Sequence, residues 1–92
     1  MIKSFQSKET EKLFRLESSR RWKSIERQAL RKLVQLDLAT NLNDMRVPPG
    51  NQLEALSGDR KGQWSIRIND QFRICFRWSE DGPEGVEIVD YH

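Results

Sequence analysis

The stretch Trp64-Ser65-Ile66-Arg67-Ile68-Asn69-Asp70-Gln71-Phe72-Arg73-Ile74-Cys75-Phe76-Arg77-Trp78 decides the fold. Over residues 63–68, Trp64, Ile66 and Ile68 point one way and Ser65 and Arg67 the other. Over residues 72–78, Phe72, Ile74, Phe76 and Trp78 alternate with Arg73, Cys75 and Arg77. A period of two is the mark of a half-buried β-strand, because successive side chains leave opposite faces of the sheet. The polar link Asn69-Asp70-Gln71 is short enough to join the two runs as a hairpin. The expectation is an antiparallel pair with one apolar face and one face bearing Arg67, Arg73 and Arg77.

Toward the C-terminus, residues 79–85 (Ser-Glu-Asp-Gly-Pro-Glu-Gly) read as a second turn and Val86 to Tyr91 as a last strand. Toward the N-terminus, Pro48-Pro49-Gly50 should end helical structure, since proline lacks an amide donor and restricts the residue before it. Upstream of that stop the period changes. Trp22, Ile25, Ala29, Leu33 and Leu36 recur at spacings of three and four, the pattern of a helix with one buried stripe, widened by Leu30 and Val34. Lys23, Arg27, Arg31 and Lys32 fall largely off that stripe, and Thr40 to Met45 adds a short helical turn. A first helix begins at an N-cap, Ser7, with Glu9 and Glu11 near its positive end and Leu13, Phe14 and Leu16 as its apolar side. Ser18 and Ser19 mark a break between the helices, and Ile2 to Phe5 reads as a short strand. The order is strand, two helices, antiparallel meander: an α+β domain whose helices pack on the apolar strand face. The arginine face is expected to be left free.

The chain has 92 residues, enough for one domain over 1–92 and one core. It is 36% hydrophobic and 33% charged, with three Trp, four Phe and one Tyr to fill that core. The single cysteine, Cys75, excludes a disulfide within the chain and a cysteine-built zinc site. No apolar run resembles a signal peptide or is long enough for a bilayer, so a soluble cytoplasmic protein without membrane contact is expected. Net charge is only +2, but all 16 Lys and Arg lie in residues 1–77 with nine of the acids, while the other five acids fall in residues 78–92. A basic body of this kind favours a polyanionic partner.

Phosphate-binding glycine loops, HExxH and Cys–His metal patterns are missing, and one histidine, His92, excludes a multi-histidine metal site. No metal and no cofactor are expected. What remains is the arginine face beside Asp90-Tyr91-His92. Arginines hold phosphates and aromatic rings stack on unpaired bases, so such a surface suits RNA binding. It also suits RNA cleavage, which needs a base for the 2′-OH, an acid for the leaving 5′-oxygen and a cation for the developing phosphorane charge. His92 titrates near neutrality and fits base or acid; Arg73 fits the charge-stabilising role. The plain alternatives are a solvated strand face, a frayed terminus and an Asp90 that merely caps or pairs with an arginine.

Residues 53–74, Leu53-Glu54-Ala55-Leu56-Ser57-Gly58-Asp59-Arg60-Lys61-Gly62-Gln63 followed by Trp64 to Ile74, resemble the core signature of HigB-type toxins of the RelE superfamily. Ile2-Lys3-Ser4-Phe5 and Val89-Asp90-Tyr91-His92 resemble the family's ends, and Pro48-Pro49-Gly50-Asn51 looks like its HigB/GraT branch. The resemblance implies a RelE-like fold and a type II toxin–antitoxin system. The implied activity is a ribosome-dependent, metal-independent endoribonuclease that cuts mRNA. The implied partner is a cognate helix-turn-helix antitoxin that represses the shared operon on operator DNA together with the toxin. Carried over, Arg73 matches the phosphate-stabilising arginine, and Asp90, Tyr91 and His92 match the C-terminal catalytic group. Arg60, Lys61 and Arg67 match basic positions expected to hold RNA, with Arg77 beside them on the same strand face. Many relatives carry a His and a Lys where this chain has Glu54 and Ser57; Glu54, a carboxylate, is then the candidate base, and a milder toxin is implied. The rival readings are a non-catalytic corepressor subunit that only joins the antitoxin, and a general RNA-binding domain.

Overall fold

The computed structural model describes residues 1–17 and 21–90. Two helices, α1 (Lys8–Phe14) and α2 (Glu26–Leu38), pack on a sheet of β1 (Glu54–Ala55), β2 (Trp64–Arg67), β3 (Phe72–Ser79) and β4 (Gly82–Asp90). The strands lie in chain order, each antiparallel to the next. The alternating stretch forms the expected hairpin, with Ser65 opposite Cys75, Ile66 opposite Ile74 and Arg67 opposite Arg73. Its turn is shaped by Asn69, whose Oδ1 accepts from the amides of Gln71 and Phe72 at 2.9 and 2.8 Å. An asparagine side chain bonding the backbone two residues on imitates a backbone turn, so the link needs no glycine.

The core lies between α2 and the apolar sheet face. Trp22, Ile25, Ala29, Leu33 and Leu36 are all buried, against Ile66, Ile74, Phe76, Val86 and Ile88. The stripe is therefore as read, but the helix begins later: Ile25 is the N-cap, and Trp22 packs from the turn before it, edge-on to Phe72 at 5.7 Å between ring centroids. Val34 is exposed, so the stripe is narrower than expected. The outward side of α2 carries Arg27, Arg31 and Val34 instead.

The first helix is capped as expected, Ser7 Oγ accepting from the Thr10 amide at 3.1 Å. Thr10, buried, then accepts from the Ile88 amide at 3.0 Å, which ties α1 to β4. Leu16 does not join the apolar side; it is exposed, with φ +63 just past the helix end. The N-terminal strand contracts to a parallel bridge between Phe5 and Val86, supported by amides of Lys3 and Gln6 donating to Pro83 and Val86 carbonyls. The break expected at Ser18 and Ser19 lies outside the described residues.

Two further expectations are corrected. Pro48-Pro49-Gly50 does not end all helical structure: after a 3₁₀ turn at Leu42–Arg46, Pro49–Asn51 forms another. Proline suits the start of such a turn, where its missing amide is not needed. The last strand begins at Gly82, so the second turn is only Glu80-Asp81, and residues 83–85 are strand. Where β4 pairs with β3 the register shifts between Cys75 and Arg77, because β4 carries an extra residue beside Gly85 at φ +60.

Candidate functional site

The sheet face opposite the helices is not free, and this is the main correction to the sequence reading. The Gln52 carbonyl meets Arg73 there and Arg60 reaches over to Glu87; Arg73 is only 7% exposed and Ser65 and Cys75 are fully buried. Alternation identifies which residues share a face; it does not say whether a distant segment covers that face. Arg73 donates from Nε to Ser65 Oγ at 2.8 Å and from Nη2 to the Gln52 carbonyl at 2.7 Å. A buried guanidinium is tolerated where its donors are satisfied, and these two bonds fix the plane of its fork.

Gln52 has φ +47, left-handed for a residue with a side chain, just after the Pro49–Asn51 turn. This backbone reversal lets its carbonyl face Arg73. Strain of this kind persists where surrounding contacts hold it.

Around Arg73 the register gathers several predicted residues. Arg67 is its direct cross-strand neighbour and pairs with Asp70. Glu54 is exposed on β1 directly opposite Ser65, hence on the same face as Arg73. Farther along, Arg60 reaches over the face, donating to Glu87 Oε1 at 2.9 Å and Gln63 Oε1 at 3.1 Å. The bond to Glu87 raises the Arg60 pKa above its ordinary value. Cys75 lies between these groups, opposite Glu87 in register. Burial pushes its thiol pKa up, Arg60 and Arg73 pull it down, and Glu87 adds to the rise.

Arg77 is exposed at the far end of the same face, its Nη1 lying 2.8 Å from where a side chain at Gly62 would begin. Glycine is favoured there by its φ of +92, while the Arg77 side-chain tip could swing away from a Cβ. Lys61 is exposed on the same loop.

Asp90 sits at the Arg67–Arg73 end but pairs in register with Phe72, which puts it on the helix-side face. It accepts from Gln71 Nε2 at 3.1 Å. Tyr91 and His92 lie outside the described residues.

Sequence reasoning missed Ser65, Gln52, Asn51 and Glu87. Ser65 and Glu87 were visible as polar residues at strand positions of Arg73's parity. No local signal marks Gln52, which acts through its backbone, or the burial of Asn51. Among the described residues no group of three or more His, Cys, Asp or Glu is placed to hold a metal ion. No helix among them is long and apolar enough to cross a membrane.

Two helices packed on one side of a four-strand antiparallel meander make an α+β fold. A chain of the YoeB–YefM complex from Staphylococcus aureus shares it, with a TM-score of 0.63 at 15% identity, covering 100% of this chain and 98% of that one. Over residues 3–92 the sequence matches the family described as RelE-like toxin of type II toxin-antitoxin system HigB, and the chain belongs to that HigB-like toxin family. Toxin HigB-1 of Vibrio cholerae is 46% identical over 68 residues, 74% of this chain and 67% of that protein. A protein named Endoribonuclease HigB, from Proteus vulgaris, is 32% identical over 61 residues, 66% of this chain and 65% of its own length. Membership of a type II system makes an antitoxin the partner of this toxin.

Proposed function

We propose that this toxin is an endoribonuclease that cuts ribosome-bound mRNA without a metal ion, acts in the cytoplasm, and joins its antitoxin on operator DNA. The observation that carries the reading is Arg73, a guanidinium locked in the sheet by Ser65 and Gln52. Arg67 and Glu54 share its face, and Asp90 lies at the same end of the sheet. The name of the Proteus relative supplies the activity class.

In the proposed reaction the 2′-oxygen bonds to the adjacent phosphorus and the bond from phosphorus to the 5′-oxygen breaks. The products are a cyclic phosphate and a 5′-OH. One group takes the 2′-OH proton and another gives a proton to the leaving 5′-oxygen. His92 is the candidate for either role, since imidazole chemistry serves both acid and base catalysis near neutral pH. Glu54 is the second candidate base, and Asp90 and Tyr91 complete the terminal group. Arg73 faces the phosphorane charge with a planar fork, and a donor fixed in advance requires no reorganisation as that charge develops. Arg60, Lys61, Arg67 and Arg77 hold flanking phosphates.

The test is induction of the toxin alone, with mapping of mRNA 5′ ends. Cuts within translated codons, and poor cleavage of free RNA, are expected; growth arrest without new 5′ ends would refute the nuclease reading. A corepressor subunit that only joins the antitoxin would give neither arrest nor cuts.

A further inference from the structure

Asn51 is fully buried, polar, and absent from the chemistry proposed above. Its side-chain amide is bonded on every side. Nδ2 donates to the Met45 carbonyl at 3.1 Å, to Gln35 Oε1 at 3.3 Å and to the Val47 carbonyl at 3.4 Å. Oδ1 accepts from Lys32 Nζ. Gln35 in turn donates from Nε2 to the same Val47 carbonyl. Two residues of α2, Lys32 and Gln35, thus clamp one residue of the covering segment.

The next residue is Gln52, whose left-handed backbone turns its carbonyl onto Arg73 Nη2. The connection therefore runs from α2 through Asn51 to the Gln52 carbonyl and on to the arginine. From this network we infer that Asn51 is a positioning residue, which sets the orientation of the Arg73 guanidinium by fixing the Gln52 carbonyl against α2.

Three observations support the inference. A left-handed conformation at a residue with a side chain must be held by its surroundings, and Asn51 is the immediate anchor. A buried amide that merely filled space would be replaceable by an apolar residue, whereas this one uses both of its polar atoms. Arg73 has its Nε on β2, through Ser65, and its Nη2 on the covering segment, so the Gln52 contact to the fork depends on that segment being held in register with the sheet. Lys32 also carries the cost of the arrangement: burial, with Arg31 and Arg67 nearby, lowers its pKa.

The inference rests on the nuclease reading for its kinetic consequence but not for its structural one, and the experiment separates the two. Asn51→Ala and Lys32→Met are made in wild-type and Arg73→Ala backgrounds, and mRNA cleavage on programmed ribosomes is followed with the Arg73 side-chain NMR signals. Asn51→Ala should lower kcat by about a hundredfold, the scale of a small misplacement of a catalytic group, with KM nearly unchanged. In the Arg73→Ala background the same change should cost less than about twofold, because residues that act as one unit are not additive. The Arg73 Nη2 signals should shift as the fixed Gln52 carbonyl is lost, while the Nε–H, held by Ser65, keeps its own. Lys32→Met, at a half-buried site, should give the same pattern more weakly and covers the case of an Asn51→Ala chain that does not fold. Equal losses in both backgrounds, or Nη signals unchanged in the folded variants, would overturn the positioning role. No cleavage products from the wild type would overturn the nuclease reading, and unchanged cleavage in all variants would overturn the catalytic role of Arg73, while the NMR signals still decide the positioning.

Discussion

Replacing Arg73 by alanine separates a structural arginine from a catalytic one, and the burial of the side chain sets the arithmetic. Among its interactions, the change removes the charge-assisted hydrogen bonds to Ser65 Oγ and to the Gln52 carbonyl, and leaves a fully buried hydroxyl without that donor. Such bonds are worth roughly 1.5–3 kcal/mol each. Against that, the variant no longer has to desolvate a guanidinium, a penalty of several kcal/mol in a folded protein. The expected net loss is about 1–3 kcal/mol of stability, which in a domain of this size lowers Tm by roughly 5–20 °C. A domain with an ordinary reserve of about 5–15 kcal/mol stays almost entirely folded at 25 °C after such a loss. Loss of a charge-stabilising donor costs about 3–4 kcal/mol of transition-state stabilisation, roughly a hundred- to thousand-fold in rate. Unfolding cannot account for a drop of that size, so a thermal melt beside a cleavage assay on programmed ribosomes distinguishes the two roles. A folded Arg73→Ala variant that cuts at the wild-type rate would refute the catalytic role, and an unchanged Tm would refute the buried hydrogen-bond account.

Deleting Tyr91 and His92 should abolish cleavage and leave antitoxin pull-down intact, since Val86 and Ile88 keep β4 in the core; a fully active truncation would remove the terminal group from the mechanism. Cys75, buried and with its thiol pKa raised, should resist iodoacetamide in the folded protein, and because the folded state binds that proton more tightly, its contribution to stability should fall as pH rises through the ordinary thiol range. Rapid native-state alkylation at neutral pH would contradict this. Gly82→Ala should destabilise by more than about 1 kcal/mol, because φ is +128 and a Cβ would fall 2.6 Å from the Met1 carbonyl oxygen; an unchanged melt would refute the close approach. Asp44, whose carboxyl is held below the usual range first by the Thr40 and Asn41 amides, contributes stability above that range that is lost as pH falls through it, so Asp44→Asn should flatten the acid limb of a pH–stability curve.

Local rules carried the reading a long way. Period-two alternation placed β2 and β3 and assigned every side chain to a face, because the pleat leaves no other choice once register is set. Three-four spacing gave the buried stripe of α2, and Ser7 announced its helix through a bond three residues long. The signature from Leu53 to Ile74 identified the family, since it records many constraints at once. The rest depended on contacts between residues far apart in the chain. Arg73 meets Gln52 across 21 positions, Arg60 meets Glu87 across 27, and Ile88 meets Thr10 across 78. No period in the sequence encodes which segment covers a sheet face, so an arginine that alternates like a solvated residue proved buried. The sequence by itself determined the two helices, the β2–β3 hairpin and the last strand, the sides the paired strands present, and the family. Only the tertiary structure decided that Arg73 is buried against the segment around Asn51 and Gln52, because burial is set by packing partners brought together from distant positions, while alternation and capping are set by neighbours.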